Sequence, residues 1–178
     1  MKRSVPMWQM VGLIFTSVLG TFLHFLFDLT RGSIVAALVS AVNESIWEHM
    51  KLLFYPMLLF AVLEYFAWGQ ELPQFWWIKL FGIGLGLLLV PVFYYSYTGI
   101  LGVQADWFNI AIFFLTAGAV YWMETALFSK LPAFPLPGWV AAVMIAALVA
   151  LFTVLTFAPP HIPLFQDPVS GTYGFNRQ

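Results

Sequence analysis

The chain has 178 residues, of which 62% are hydrophobic and 8% charged, and its net charge is −1. Soluble domains average roughly 25% charged residues, so a chain with so few ionisable groups must have lipid as its main solvent. This composition excludes a soluble enzyme, a disordered segment and a nucleic-acid-binding protein, and the lack of cysteine excludes disulfides and thiolate metal sites.

Five segments are long and apolar enough to span a membrane, which takes about 20 residues. They run over residues 7–27, 44–68, 75–97, 107–128 and 138–157. Between the first two, the segment from Ser33 to Val42 is too short to cross. We expect it to form a short interfacial or re-entrant helix capped by Ser33, with a break near Asn43. An irregular polar tail covers residues 158–178, so we predict an all-α membrane bundle that forms one domain over residues 1–178.

The positive charges near the span ends predict the orientation in the cell membrane. Lys2 and Arg3 precede the first span, which usually dominates, so we expect a cytoplasmic N-terminus and an extracytoplasmic C-terminus. Whatever the orientation, the first span ends, the second begins and the fifth ends on the same membrane face. These three span ends carry the three histidines of the chain, His24, His49 and His161.

A carboxylate accompanies each histidine. Asp28 follows His24 by four residues, which places both on one helix face. The segment Asn43–His49 adds two glutamates and a serine. In the tail, Asp167 follows His161 on a proline-rich stretch that can fold back over the helix ends.

Neutral imidazoles and carboxylates suit zinc or another divalent metal, and catalytic zinc sites keep one position open for water. A nearby carboxylate can orient a ligating histidine or act as general base. The predicted metal ligands are His24, His49 and His161. The predicted catalytic residues are Asp28, Glu44, Ser45 and Glu48.

A structural interpretation of the same residues stays open. Asn43 is a good helix cap, and Ser45 with Glu48 matches a capping box. His24 and Asp28 can form a hydrogen-bonded pair that ties two helices together.

The opposite face carries a second group of ionisable residues. Glu64 and Glu124 can pair with each other, with Lys79 or with Lys130, or they can line a proton or cation path. Three alternating glycines over residues 82–86 indicate close helix contact in the third span.

The whole chain resembles a family of small bacterial multi-pass membrane proteins of unknown function. The resemblance is carried by His24-x3-Asp28, by the segment Asn43–His49 and by the tail motif over residues 160–174. Separately, Ser45-x3-His49 resembles the Ser-x3-His motif of the alkaline-ceramidase and adiponectin-receptor superfamily of zinc amidases. That resemblance implies that His49 is a zinc ligand and Ser45 a partner of the zinc site.

Three functional hypotheses follow. The first is a metal-dependent membrane hydrolase acting on a lipid-like amide or ester. The second is a small transporter or ion- or proton-conducting protein, and the third is a non-catalytic scaffold or accessory subunit. We expect membrane lipid and a lipid-like or small-molecule substrate as partners, no nucleic acid, and no nucleotide or flavin cofactor, and an oligomer is compatible with the sequence.

Overall fold

The computed structural model describes residues 4–130 and 132–175, so Lys2, Arg3 and the last three residues of the predicted tail lie outside the described residues. The described chain is helical, without strands beyond one isolated bridge between Gln166 and Tyr173. Its helices are α1 (Val5–Leu29), α2 (Ile34–Ala37), α3 (Ile46–Ala67), α4 (Phe75–Leu101), α5 (Asp106–Lys130) and α6 (Gly138–Phe157). Two 3₁₀ turns, Gly69–Glu71 and Pro163–Phe165, complete the secondary structure.

Five of these helices, all except α2, are long and apolar enough to cross a membrane. The prediction of an all-α, multi-pass membrane protein with five spans is therefore confirmed. The largest boundary difference is in α4, which continues to Leu101 rather than ending at Tyr97. The helix ends where Gly102 adopts a positive φ of 65°, a conformation that glycine accepts without steric cost.

A short helix between the first two spans is also confirmed, although it covers only Ile34–Ala37 of the predicted segment. Arg31 and Gly32 both have positive φ and turn the chain at the end of α1. Ser33 then precedes α2 with extended backbone, although its hydroxyl makes no capping hydrogen bond. Because α2 is only 4 residues long, it does not cross the membrane.

The five spans alternate in direction, which creates two membrane faces. We call the face where α1 begins the N-terminal face, and the face where α6 ends the C-terminal face. α3 packs against α1 and α4 and is the most buried of the five spans. Large apolar side chains are exposed around the outside of the bundle, among them Val18, Leu88 and Trp122, as expected when the surrounding solvent is lipid.

The tail folds back onto the C-terminal face. Trp47 at the start of α3 packs between Phe152 of α6 and Phe165 of the tail, with ring centroids 4.5 and 4.8 Å away. The Asn43 side-chain amide donates to the Gly174 carbonyl oxygen at 3.1 Å. The tail is therefore packed against the helix ends by both apolar and polar contacts.

Candidate functional site

Three potential metal-ligating side chains converge at the C-terminal face. His24 comes from the last turns of α1, Glu44 from the turn before α3, and His49 from the first turn of α3. One ligand atom from each lies within 4.8 Å of the others. The two imidazole rings meet edge to face, with centroids 5.3 Å apart.

The start of α3 explains how this local geometry arises. Ser45 is the N-cap of α3, and its hydroxyl accepts a hydrogen bond from the Glu48 amide at 3.4 Å. The Ser45 amide in turn donates to the Asn43 side-chain oxygen at 2.9 Å. These two hydrogen bonds fix the turn that carries Glu44 and the first helical turn that carries His49.

The backbone also orients the His49 ring. Its Nδ1 lies 2.9 Å from the Ser45 carbonyl oxygen. Because a carbonyl oxygen only accepts, Nδ1 is the donor in this contact, which leaves Nε2 for a partner on the other side of the ring. That Nε2 is 3.4 Å from Glu44 Oε2. A metal-binding histidine is commonly held in this way through its other ring nitrogen.

Two other residues of the predicted site lie apart from this convergence. Asp28 is exposed, one turn beyond His24 on α1. His161 is exposed in the tail, where its ring lies tilted against that of Tyr173 with centroids 4.6 Å apart, and it is not part of the ligand group. Asp167 accepts hydrogen bonds from the Val169 amide and the Ser170 hydroxyl, each at 2.8 Å, within the tail's own turn.

Glu48, a predicted catalytic carboxylate, belongs to a buried network with Lys51. The Lys51 ammonium lies 2.6 Å from Glu48 Oε2 and also donates to the Ala37 carbonyl oxygen and the Thr156 hydroxyl. The Thr156 hydroxyl donates to Glu48 Oε1, and the Val42 amide donates to Glu48 Oε2. Both carboxylate oxygens are thus engaged, and one positive charge matches one negative charge.

A second buried charge network lies at the N-terminal face. The Lys79 ammonium of α4 contacts Glu64 Oε2 of α3 and lies 2.5 Å from Glu124 Oε2 of α5. The Gln9 amide of α1 donates to Glu64 Oε1 at 2.7 Å. Of the pairings allowed by the sequence, the one with Lys79 is confirmed, whereas Lys130 is exposed at the end of α5.

Sequence reasoning missed Gln9. Gln9 is fully buried although it lies in an apolar span, and an isolated amide at that position is the signal that could have indicated a polar partner. At Gly82, the helix passes so close to α5 that a Cβ atom would meet the Glu124 carboxylate. Gly86 likewise lies close to α3, so close helix contact is confirmed at both positions. At Gly84 the prediction is wrong, because no atom lies within 4 Å of an added Cβ there.

The fold, with its five apolar spans and buried charge networks, defines a helical multi-pass membrane protein. A family model described as "Family of unknown function (DUF6512)" matches residues 1–175. The chain belongs to this family. No curated protein and no solved structure gives a significant match to the chain.

Proposed function

We propose that this membrane protein binds a divalent transition metal, best matched by zinc, at His24, Glu44 and His49, and uses it to hydrolyse a lipid-like amide or ester. The observation that carries this proposal is the convergence of one ligand atom from each residue within 4.8 Å. Two imidazoles and one carboxylate form a donor set found in catalytic zinc sites, which leave a further position for water.

The distances and the ring orientation support this donor set. Two ligands bound tetrahedrally to zinc at about 2.1 Å lie about 3.4 Å apart. The distance between His49 Nε2 and Glu44 Oε2 is 3.4 Å. The Glu44 side chain is 49% exposed and therefore has room to rotate, and the His24 ligand atom lies within 4.8 Å of the other two.

The position of the site supports a lipid-like substrate. His24 and His49 lie within about two turns of the helix ends at the C-terminal face, at the boundary between the apolar spans and the tail. With the predicted orientation this face is extracytoplasmic. Bound zinc would supply Lewis acidity and lower the pKa of a coordinated water molecule.

The remaining residues of the predicted site have separable roles in this proposal. Asp28 is exposed one turn from His24, which makes it the candidate general base. Glu48 is engaged by Lys51, and Ser45 positions His49 through its carbonyl oxygen. We therefore assign Ser45 and Glu48 to positioning rather than to proton transfer.

The test is the metal content of the purified protein after incubation with zinc, measured by elemental analysis. We expect about one zinc per chain, and a loss of more than about 10-fold in zinc affinity in His24→Ala and His49→Ala, because each removes a ligand. His161→Ala is the matched control and should bind zinc like the parent protein. Equal binding by all three variants would contradict the assignment.

The hydrolase step is tested separately, with lipid amide and ester substrates in the presence and absence of zinc. We expect cleavage that depends on zinc. Asp28→Asn should lower the rate of this cleavage without reducing the zinc content. If the protein binds one zinc per chain but cleaves none of these substrates, the hydrolase hypothesis is refuted and the metal-binding site remains. Absence of zinc, with His24→Ala and His49→Ala only less stable, would favour the scaffold hypothesis.

A further inference from the structure

The buried network at the N-terminal face, which we call the Lys79 cluster, consists of Gln9, Glu64, Lys79 and Glu124. Each side chain is at most 4% exposed. Gln9 and Lys79 each lie four residues into their helices, roughly 6 Å from the helix start. The cluster is therefore inside the bundle, yet close to one membrane face.

The charges of the Lys79 cluster do not balance. Two carboxylates, Glu64 and Glu124, share the single ammonium of Lys79. In contrast, the Glu48–Lys51 pair of the same protein matches one carboxylate with one ammonium. Since an unpaired charge is costly within a membrane span, the cluster needs one more positive charge.

The hydrogen bonds indicate where that charge resides. Glu64 Oε1 accepts a hydrogen bond from the Gln9 amide, and Glu64 Oε2 contacts the Lys79 ammonium as an ion pair without a further hydrogen bond among the described residues, so each Glu64 oxygen faces a donor or a cation. Glu124 Oε2 receives Lys79, whereas Glu124 Oε1 is buried without a hydrogen-bond partner among the described residues. An oxygen of this kind is the one that accepts a proton at least cost.

We propose that the Lys79 cluster is a binding site for one exchangeable proton, carried on Glu124 and shared with Glu64 across Lys79. Binding converts one carboxylate to a carboxylic acid and makes the cluster neutral. This site involves other residues and the opposite membrane face from the proposed metal site, so the two proposals stand independently.

The surroundings of the cluster offer no second ammonium or guanidinium among the described residues. α1 contributes the neutral Gln9, and α6 contains no titratable side chain. From α5, the ring of Tyr121 lies 5.8 Å from the Lys79 ammonium. Its hydroxyl is 2.7 Å from that of Thr16. The described residues therefore supply no second cation, and the proton is the smallest cation that fits a closed cluster.

The experiment is infrared spectroscopy of the purified protein in lipid nanodiscs, which resolves protonated carboxyl groups from carboxylates. Near neutral pH we expect a carboxylic acid band equivalent to one group per chain, which disappears on raising the pH. Glu64→Gln and Glu124→Gln should each abolish this band, because the single remaining carboxylate then matches Lys79. If one of these two variants does not fold, the loss of the band in the other is enough to test the proposal.

Two further variants sharpen the test. Lys79→Met should enlarge the band to two groups per chain, since both carboxylates lose their cation. Glu71→Gln, which changes an exposed glutamate, is the control and should leave the band unchanged. A band that is absent in the parent protein, or that survives both Glu64→Gln and Glu124→Gln, would overturn the proposal. A band that appears only when Na⁺ is replaced by choline would overturn it in favour of an alkali-cation site.

Discussion

At the scale of single residues, glycines decide how closely the helices approach at the Lys79 cluster. Gly82 of α4 lies against Glu124, and an added Cβ would meet three atoms of that side chain. Gly84, two residues further along the same helix, has no atom within 4 Å of an added Cβ. The two glycines have similar sequence contexts and opposite tertiary surroundings.

This contrast makes a prediction for alanine substitutions. Gly82→Ala should lower the free energy of unfolding by about 1–3 kcal/mol, because the methyl group displaces a carboxylate held by Lys79. Gly84→Ala is the matched control and should change it by less than about 1 kcal/mol, since it adds only helix propensity. Thermal unfolding in detergent measures both, and equal destabilisation would contradict the crowding argument.

At the scale of elements, the Glu48–Lys51 pair joins three helices. Lys51 of α3 donates to the Ala37 carbonyl oxygen at the end of α2 and to the Thr156 hydroxyl of α6, at 2.8 and 3.0 Å. Lys51 is completely buried. Its ammonium therefore donates the hydrogen bonds that water would otherwise provide, to acceptors that are 14 and 105 residues away in sequence.

Breaking this pair should be costly. Lys51→Met leaves the Glu48 carboxylate buried without its cation, and we expect a loss of about 3–5 kcal/mol in the free energy of unfolding. The double variant Glu48→Gln with Lys51→Met removes both charges and should recover most of that loss. Denaturant unfolding of the single and double variants measures the difference. A double variant no more stable than Lys51→Met alone would show that lost packing, rather than an unpaired charge, is responsible.

At the scale of the whole molecule, the tail closes the C-terminal face. The Phe175 amide of the tail donates to the carbonyl oxygen of Thr156, in the last turn of α6, at 2.8 Å. Gly174 has a φ of 61°, and a Cβ there would lie 2.7 Å from the Thr156 carbonyl oxygen and from the Pro159 ring. Neither of these neighbours can rotate away.

We therefore expect Gly174→Ala to release the tail. Gly171→Ala is the matched control, because Gly171 also has a positive φ of 71° but its Cβ would meet only a flexible Gln166 side chain at 4.0 Å. Both variants carry the left-handed strain of about 1–2 kcal/mol, and only Gly174→Ala adds the clash. Limited proteolysis of the tail should be markedly faster in Gly174→Ala, and equal rates would mean that strain alone weakens docking.

The sequence by itself determined the class of protein and the positions of its spans. Apolar runs such as residues 138–157 are long enough to cross a membrane, and in lipid a helix is the structure that satisfies every backbone group locally. The turn before α3 could also be predicted, because Ser45 and Glu48 are only three residues apart in sequence. Local chemistry of this kind does not depend on where other helices lie.

Only the tertiary structure decided which polar residues meet. The sequence placed His24, His49 and His161 at one face, but helix rotation and the path of the tail bring Glu44 to the two span histidines and His161 to Tyr173. Likewise, Lys79 lies between Glu64 and Glu124 because Gly82 allows α4 and α5 to approach closely. Contacts across 45 residues or more depend on packing, which hydropathy and spacing along one helix do not encode.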